Sequence, residues 1–101
     1  MSIQVRRLQR EIREIQSQLT YENKKMFGNV AIYLRASKLD SFFVETLLQN
    51  QVVSLLKQQQ AGETTTSFYQ PSPKVYCDQL IQRYTEKKAE VSFFFKGASF
   101  V

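Results

Sequence analysis

The residues best equipped for chemistry lie in one short stretch, "VYCDQLIQRY". Tyr76, Asp78 and Tyr84 carry groups that could give or take a proton, and Cys77 carries a thiol. A phenol and a carboxylate this close together could be cast as an acid–base pair. The rest of the chain does not support that use. It has no histidine, which removes the commonest general base and the commonest metal ligand together. There is no glycine-rich phosphate loop, no Cys or His cluster and no nucleophile elbow. The acidic residues are scattered, with no spacing that suggests metal coordination. Tyr76 and Tyr84 fall at helical apolar positions, where the ring packs and the hydroxyl reaches the surface. Cys77 lies on the same face and reads as a buried structural thiol. The expectation is a chain without catalytic residues, cofactor or metal, and not an enzyme.

Charge is the next functional signal. The formal net charge is +5 over 101 residues, and it is unevenly placed. Residues 1–38 carry Arg6, Arg7, Arg10, Arg13, Lys24, Lys25, Arg35 and Lys38 against only Glu11, Glu14 and Glu22, whereas residues 39–101 balance. A basic N-terminal helix could lie against phosphates. Glu11 and Glu14 interrupt the basic run, however, and no helix pair has the short turn that presents a recognition helix. Direct binding of nucleic acid, through Arg6, Arg7, Arg10 and Arg13, is therefore the alternative reading and not the leading one.

The elements that position these groups are helical. Glycine (3) and proline (2) are scarce, which favours long regular elements with few turns. Val5, Leu8, Ile12, Ile15 and Leu19 alternate by three and four over residues 3–19, the narrow seam of a coiled coil. Arg7–Glu11 and Arg10–Glu14 are spaced to support that helix as ion pairs. The seam either packs within its own bundle or joins two copies of the chain as a homo-oligomer.

A second helix spans Thr20 to Ser37, with Thr20 as its N-cap if the first helix ends there. Met26, Phe27, Val30, Tyr33 and Leu34 share its inner face, and Gly28 is placed to admit a neighbouring helix. "SKLD" (37–40) has capping-box spacing and starts a third helix. The broad apolar face of that helix, Phe43, Leu47, Leu48, Val52, Leu55 and Leu56, marks it as central. "KQQQ" reads as its solvated last turn, and Gly62 ends it at C′. Phe68 and Tyr69 read as pinning the loop 63–73 to the core, with a ligand-binding role as the alternative. Ser72 caps a last helix with Pro73 at N1, and Tyr76, Cys77, Leu80, Ile81 and Tyr84 line it.

The predicted fold class is all-α: a small three- to four-helix bundle with a coiled-coil-like N-terminal helix. Its parts are a basic amphipathic helix (1–19), a helical bundle domain (20–90) and an apolar tail (91–101). The core is expected from Phe27, Val30, Leu34, Phe43, Leu47, Leu55, Leu80 and Ile81.

The tail "VSFFFKGASFV" has three readings. It folds back on the bundle, it anchors at a membrane interface with Lys87, Lys88 and Lys96 facing anionic lipid, or it opens a membrane segment beginning near Val91. In the last case Arg83, Lys87 and Lys88 mark the cytoplasmic side.

"ENKKMFGNVAIYLRASKLDSFFVETLL" (22–48) and "PSPKVYCDQLI" (71–81) together resemble the HTH-associated alpha-helical signalling domain of small bacterial membrane-associated proteins. The shared parts are the lysine lead-in (Lys24, Lys25), Tyr33-Leu34-Arg35 at a helix end, the capped helix from Ser37, and Pro73-Lys74-Val75-Tyr76-Cys77-Asp78. The likeness covers roughly residues 20–84. It implies a compact helical domain on the cytoplasmic side of the membrane, without catalytic residues. It also implies signalling by protein–protein interaction, with a PadR-like transcription regulator as partner. Two departures stand out. The third helix carries Gln49, Asn50, Gln51, Gln58 and Gln59 where relatives are acidic on the outer face. Ser72 replaces the usual Asp before Pro73, which keeps a cap and loses a charge that suits a helix N-terminus.

Overall fold

Capping side chains delimit the helices. In the computed structural model, which describes residues 2–65, 68–69 and 72–83, the Ser2 hydroxyl accepts from the backbone of Val5 and opens α1 (Ile3–Gln16). Thr20 caps α2 (Tyr21–Arg35) by accepting from Asn23 N. Asp40 caps α3 (Ser41–Gln60) by accepting from Phe43 N. Ser72 accepts from Val75 N and opens α4, which starts at Pro73 and is described over 73–83. Each cap satisfies an N–H that the first helical turn leaves orphaned. The protein is thus all-α, four helices in a small bundle, with no strand among the described residues.

The start of α3 corrects the sequence expectation. Asp40 is itself the N-cap, not the N3 partner of a box opened by Ser37. Ser37 instead donates its hydroxyl to Leu34 O, at the end of α2. The intervening residues let the chain reverse and bring Leu39 onto the core. Gly62, by contrast, closes α3 as expected. Its φ of 74° puts it in the left-handed region, its N–H donates to Gln59 O, and that of Glu63 donates to Gln58 O. These are the paired bonds of a Schellman motif.

The layout is up, down, up. Glu11 meets Gln49, and the Gln18 carbonyl meets Gln59, so α1 and α3 run parallel. Asn23 meets Gln59 and Arg35 meets Glu45, so α2 runs antiparallel to both. α3 is the shared wall: α1 lies along it, α2 packs on it, and α4 is tied to it through Tyr76 and Gln51.

The core joins Ile12, Leu19, Phe27, Val30, Leu34, Val44, Leu47, Leu48, Val52, Leu55, Tyr69, Cys77 and Leu80. Burial of each large apolar side chain among them contributes about 1.5–3 kcal/mol. Of the expected core residues only Phe43 and Ile81 are partly rather than fully buried. On α1, Val5, Ile12 and Leu19 are buried inside this single chain, with Leu8 and Ile15 half-buried beside them. α1 itself ends at Gln16, and Leu19 reaches the core from the turn that follows.

Three other expectations change. Neither Arg7–Glu11 nor Arg10–Glu14 forms an ion pair, and Glu11 instead accepts from Gln49 Nε2 at 2.6 Å. Gly28 faces no other helix of the described bundle: a Cβ there would meet nothing within 4 Å among the described residues. "KQQQ" is not wholly solvated, since Gln59 Oε1 accepts from Thr20 N (2.9 Å) and Asn23 Nδ2 (2.8 Å) while its Nε2 donates to the Gln18 carbonyl (3.0 Å). Asn23, buried, also accepts from the Thr65 hydroxyl at 2.7 Å. The apolar tail 91–101 and its lysines, together with Tyr84, lie outside the described residues. Among those described, no helix is long and apolar enough to cross a membrane.

Gln59→Ala should destabilise the bundle by about 1–3 kcal/mol, because it strands the buried Asn23 amide and the Thr20 N–H. Gln60→Ala, one position on and exposed, should change chemical denaturation by less than about 0.5 kcal/mol. Equal effects at the two positions would refute this assignment of the network.

Candidate functional site

The groups that looked able to do chemistry are occupied in structural bonds. The Tyr76 hydroxyl donates to Gln51 Oε1 at 2.6 Å, joining α4 to α3. The Tyr33 hydroxyl donates to Asp78 Oδ1 at 2.7 Å, joining α2 to α4. Cys77 is fully buried, and burial pushes its thiol up from 9.0 to about 11. A thiol held that far above neutrality is not a nucleophile at pH 7. Among the described residues no group of three carboxylates or thiols is placed to hold a metal. Tyr84, the remaining acid–base candidate, lies outside them.

Beneath the loop, Tyr69 stacks edge-on against Phe68 (centroids 4.7 Å apart) and Tyr76 (5.0 Å). This matches the expected pinning of the loop to the core. Tyr69 is buried and its hydroxyl finds no hydrogen-bond partner among the described residues. Burial raises the pKa of Tyr69 first, with the neighbouring Tyr76 and Cys77 adding to it. Burial also raises Tyr76, and the bond to Asp78 raises Tyr33.

One charged cluster went unread in the sequence. Glu45 is 2% exposed, and its two oxygens accept from Arg35 Nε (3.1 Å) and Nη2 (2.8 Å) in a two-pronged pair. The signal was present as a lone carboxylate in the apolar run "FFVETLL". The pair borders a cleft of about 220 Å³ with Gln9, Leu39, Ser41 and Val44. A more open groove of about 450 Å³ lies between the N-terminal ends of α1 and α3, lined by Ser2, Val5, Asp40, Ser41 and Phe42. In each the carboxylate is already engaged: that of Glu45 accepts from Arg35, and that of Asp40 from the Phe43 N–H.

The surface of α1 is different. Arg6, Arg7, Arg10 and Arg13 are all exposed, and none forms an ion pair or side-chain hydrogen bond among the described residues. With Val5 and Ile12 turned inward, the 100° step per residue places Arg6, Arg10 and Arg13 along one outward flank. Glu11 has left that surface for Gln49, and Glu14 stays exposed beside Arg10. The arrangement can hold an anionic surface, and the fold makes no use of it.

Two stability outcomes follow from these groups. Arg35→Ala leaves the Glu45 carboxylate buried without its cation and should cost about 2 kcal/mol. That is less than the ~3–5 kcal/mol of a fully buried pair, because Arg35 is part-exposed and water screens it. Glu45→Gln with Arg35→Gln should recover part of the loss in a double-mutant cycle. Alkali should also unfold the protein early. The native state favours protonated Cys77, Tyr33, Tyr69 and Tyr76, while the unfolded chain starts losing these protons near pH 9–10. Stability measured by urea titration should therefore be flat up to about pH 9 and fall as pH rises beyond it. Tyr69→Phe should weaken that fall and add about 1 kcal/mol at neutral pH by removing the unpartnered hydroxyl.

Compared with protein-family models, with curated proteins and with solved structures, the chain finds no match.

Proposed function

We propose that this chain is a non-catalytic helical interaction module that docks an acidic protein partner through the outer face of α1. The observation that carries this reading is the set of exposed arginines Arg6, Arg7, Arg10 and Arg13, none of them paired among the described residues. Unpaired surface cations contribute little to folding, yet they concentrate positive potential that steers an anionic partner into contact. The occupied hydroxyls and the buried thiol support the absence of catalysis. The resemblance to the HTH-associated helical domain extends the reading to the head of a membrane-associated signalling protein. Such a head would face the cytoplasm and engage a PadR-like transcription regulator.

A second reading is direct contact of the same helix with duplex DNA. It gains from one observation: Glu11, which would interrupt the basic run, is turned to Gln49.

One charge-reversed variant, Arg6→Glu/Arg10→Glu/Arg13→Glu, tests both. It should melt within a few degrees of the wild type, since no ion pair is lost. A pull-down with purified PadR-like regulators of the source organism should retain the wild type and lose the variant. Fluorescence titration with duplex DNA from low to moderate salt reads the alternative. Three phosphate contacts give a log–log slope of about −3. Such a slope, abolished in the variant, would replace the protein reading with the DNA one. Failure of both partners would sink both readings.

A further inference from the structure

The outward face of α2 carries a second surface that the bundle does not explain. Asn23, Phe27, Val30, Ala31 and Leu34 are its buried residues. The opposite face, by the same 100° step, is Tyr21, Lys25, Gly28 and Ile32. Tyr21 is 79% exposed and Ile32 is 71% exposed, two of the largest apolar exposures among the described residues. They lie eleven residues apart, three helical turns, on one line.

Between them Gly28 leaves open space among the described residues, none of which comes within 4 Å of the position a Cβ would take. A mid-helix glycine costs up to about 1 kcal/mol relative to alanine, and neither a turn nor internal packing here requires it. Lys24 and Lys25 are exposed beside this line, with Glu22 on its flank. None of the three forms an ion pair among the described residues.

We infer that this face of α2 receives an amphipathic helix of an acidic protein partner. Its apolar side chains cover Tyr21 and Ile32, its backbone comes close at Gly28, and its carboxylates meet Lys24 and Lys25. Charge selects this occupant. A second copy of the chain would bring its own excess of cations to the contact, whereas an acidic helix is complementary. Tyr21, Lys25, Gly28 and Ile32 form one continuous helical stripe, the kind of surface along which a second amphipathic helix packs. Ordering costs are low because α2 is held at both ends, by Asn23 on Gln59 and by Arg35 on Glu45. The surface is separate from the arginine face of α1, so it stands or falls independently of the proposal above.

The test uses a fluorescein-labelled helical peptide of about 18 residues, glutamate-rich with leucines at i, i+4, i+7 and i+11. A scrambled peptide of the same composition serves as control. The full chain should bind the ordered peptide and not the scrambled one. Amide NMR shifts should concentrate at Tyr21, Lys25, Gly28 and Ile32. Gly28→Leu and Ile32→Glu should each weaken binding by about tenfold or more. Gly28→Leu should melt no lower than the wild type, because the added side chain enters open space and the helix loses a glycine. The α1 charge-reversed variant should still direct the peptide to α2. Equal binding of the scrambled peptide, binding unchanged by Gly28→Leu, or no binding at all would overturn the inference. A Gly28-dependent dimer by analytical ultracentrifugation would overturn the choice of occupant.

Discussion

The arrangement depends on how α3 is shared. Apolar burial attracts the other helices to it, but that force is non-directional and leaves neighbours free to slide. Three glutamines supply direction. Gln49 bonds Glu11 of α1, Gln51 bonds Tyr76 of α4, and Gln59 bonds the junction of α1 and α2. Each anchors a different neighbour at a different level of one helix. Amide side chains suit this task because one group both donates and accepts. Gln59 uses both capacities, taking two N–H groups on its oxygen and giving one to a carbonyl.

This use of polar groups bears on what the molecule does. A catalytic site needs polar side chains that converge on a space and stay free to react. Here Tyr33, Asp78 and Tyr76 are spent on joining helices, and Cys77 is buried where its charged form is disfavoured. Among the groups left unspent are the arginines of α1 and the lysines on the outward face of α2. α1 keeps an arginine flank because its inward seam is covered by the same chain; the register set by Gln49 and Gln59 decides which residues face out.

Local rules were legible in the sequence, and long-range ones were not. Thr20, Ser72 and Gly62 were readable because a cap depends on a few adjacent residues. The inner faces of α2 and α3 were readable from period alone. Asp40 was misplaced by three positions because Ser37 also fits a cap, and only the reversal of the chain at Leu39 decides between them. Gln49, Gln51 and Gln59 looked like an outer polar face. Their partners are 25 to 41 residues away, and no spacing rule reports a bond of that reach. Glu11 was assigned to Arg7 for the same reason. Gly28 was read as admitting a neighbouring helix, and none of the described helices approaches it, since composition does not say whether a neighbour is present on that side of a helix. For the candidate site, the basic bias of α1 was plain, whereas the withdrawal of Glu11 from that surface was not.

The pair of part-exposed Arg35 with buried Glu45 shows why rigidity collects on α2. A buried ion pair is a poor source of net stability, because desolvation offsets most of the attraction. An apolar pair of similar volume could fill the same place. What the pair adds is angle: two parallel N–H···O bonds hold a guanidinium and a carboxylate in one plane. It does so at the C-terminal end of α2, while the Asn23, Gln59 and Thr65 bonds act at the N-terminal end. Three turns of helix lie between the two anchors. A helix held at both ends by directional bonds cannot roll on its apolar face, so its outward residues keep a constant line. Tyr21 and Ile32 are thus presented in fixed relation, although nothing in the core requires large side chains there. The polar interior and the exposed apolar residues of α2 are two sides of one arrangement, in which directional bonds inside hold an exposed surface in place.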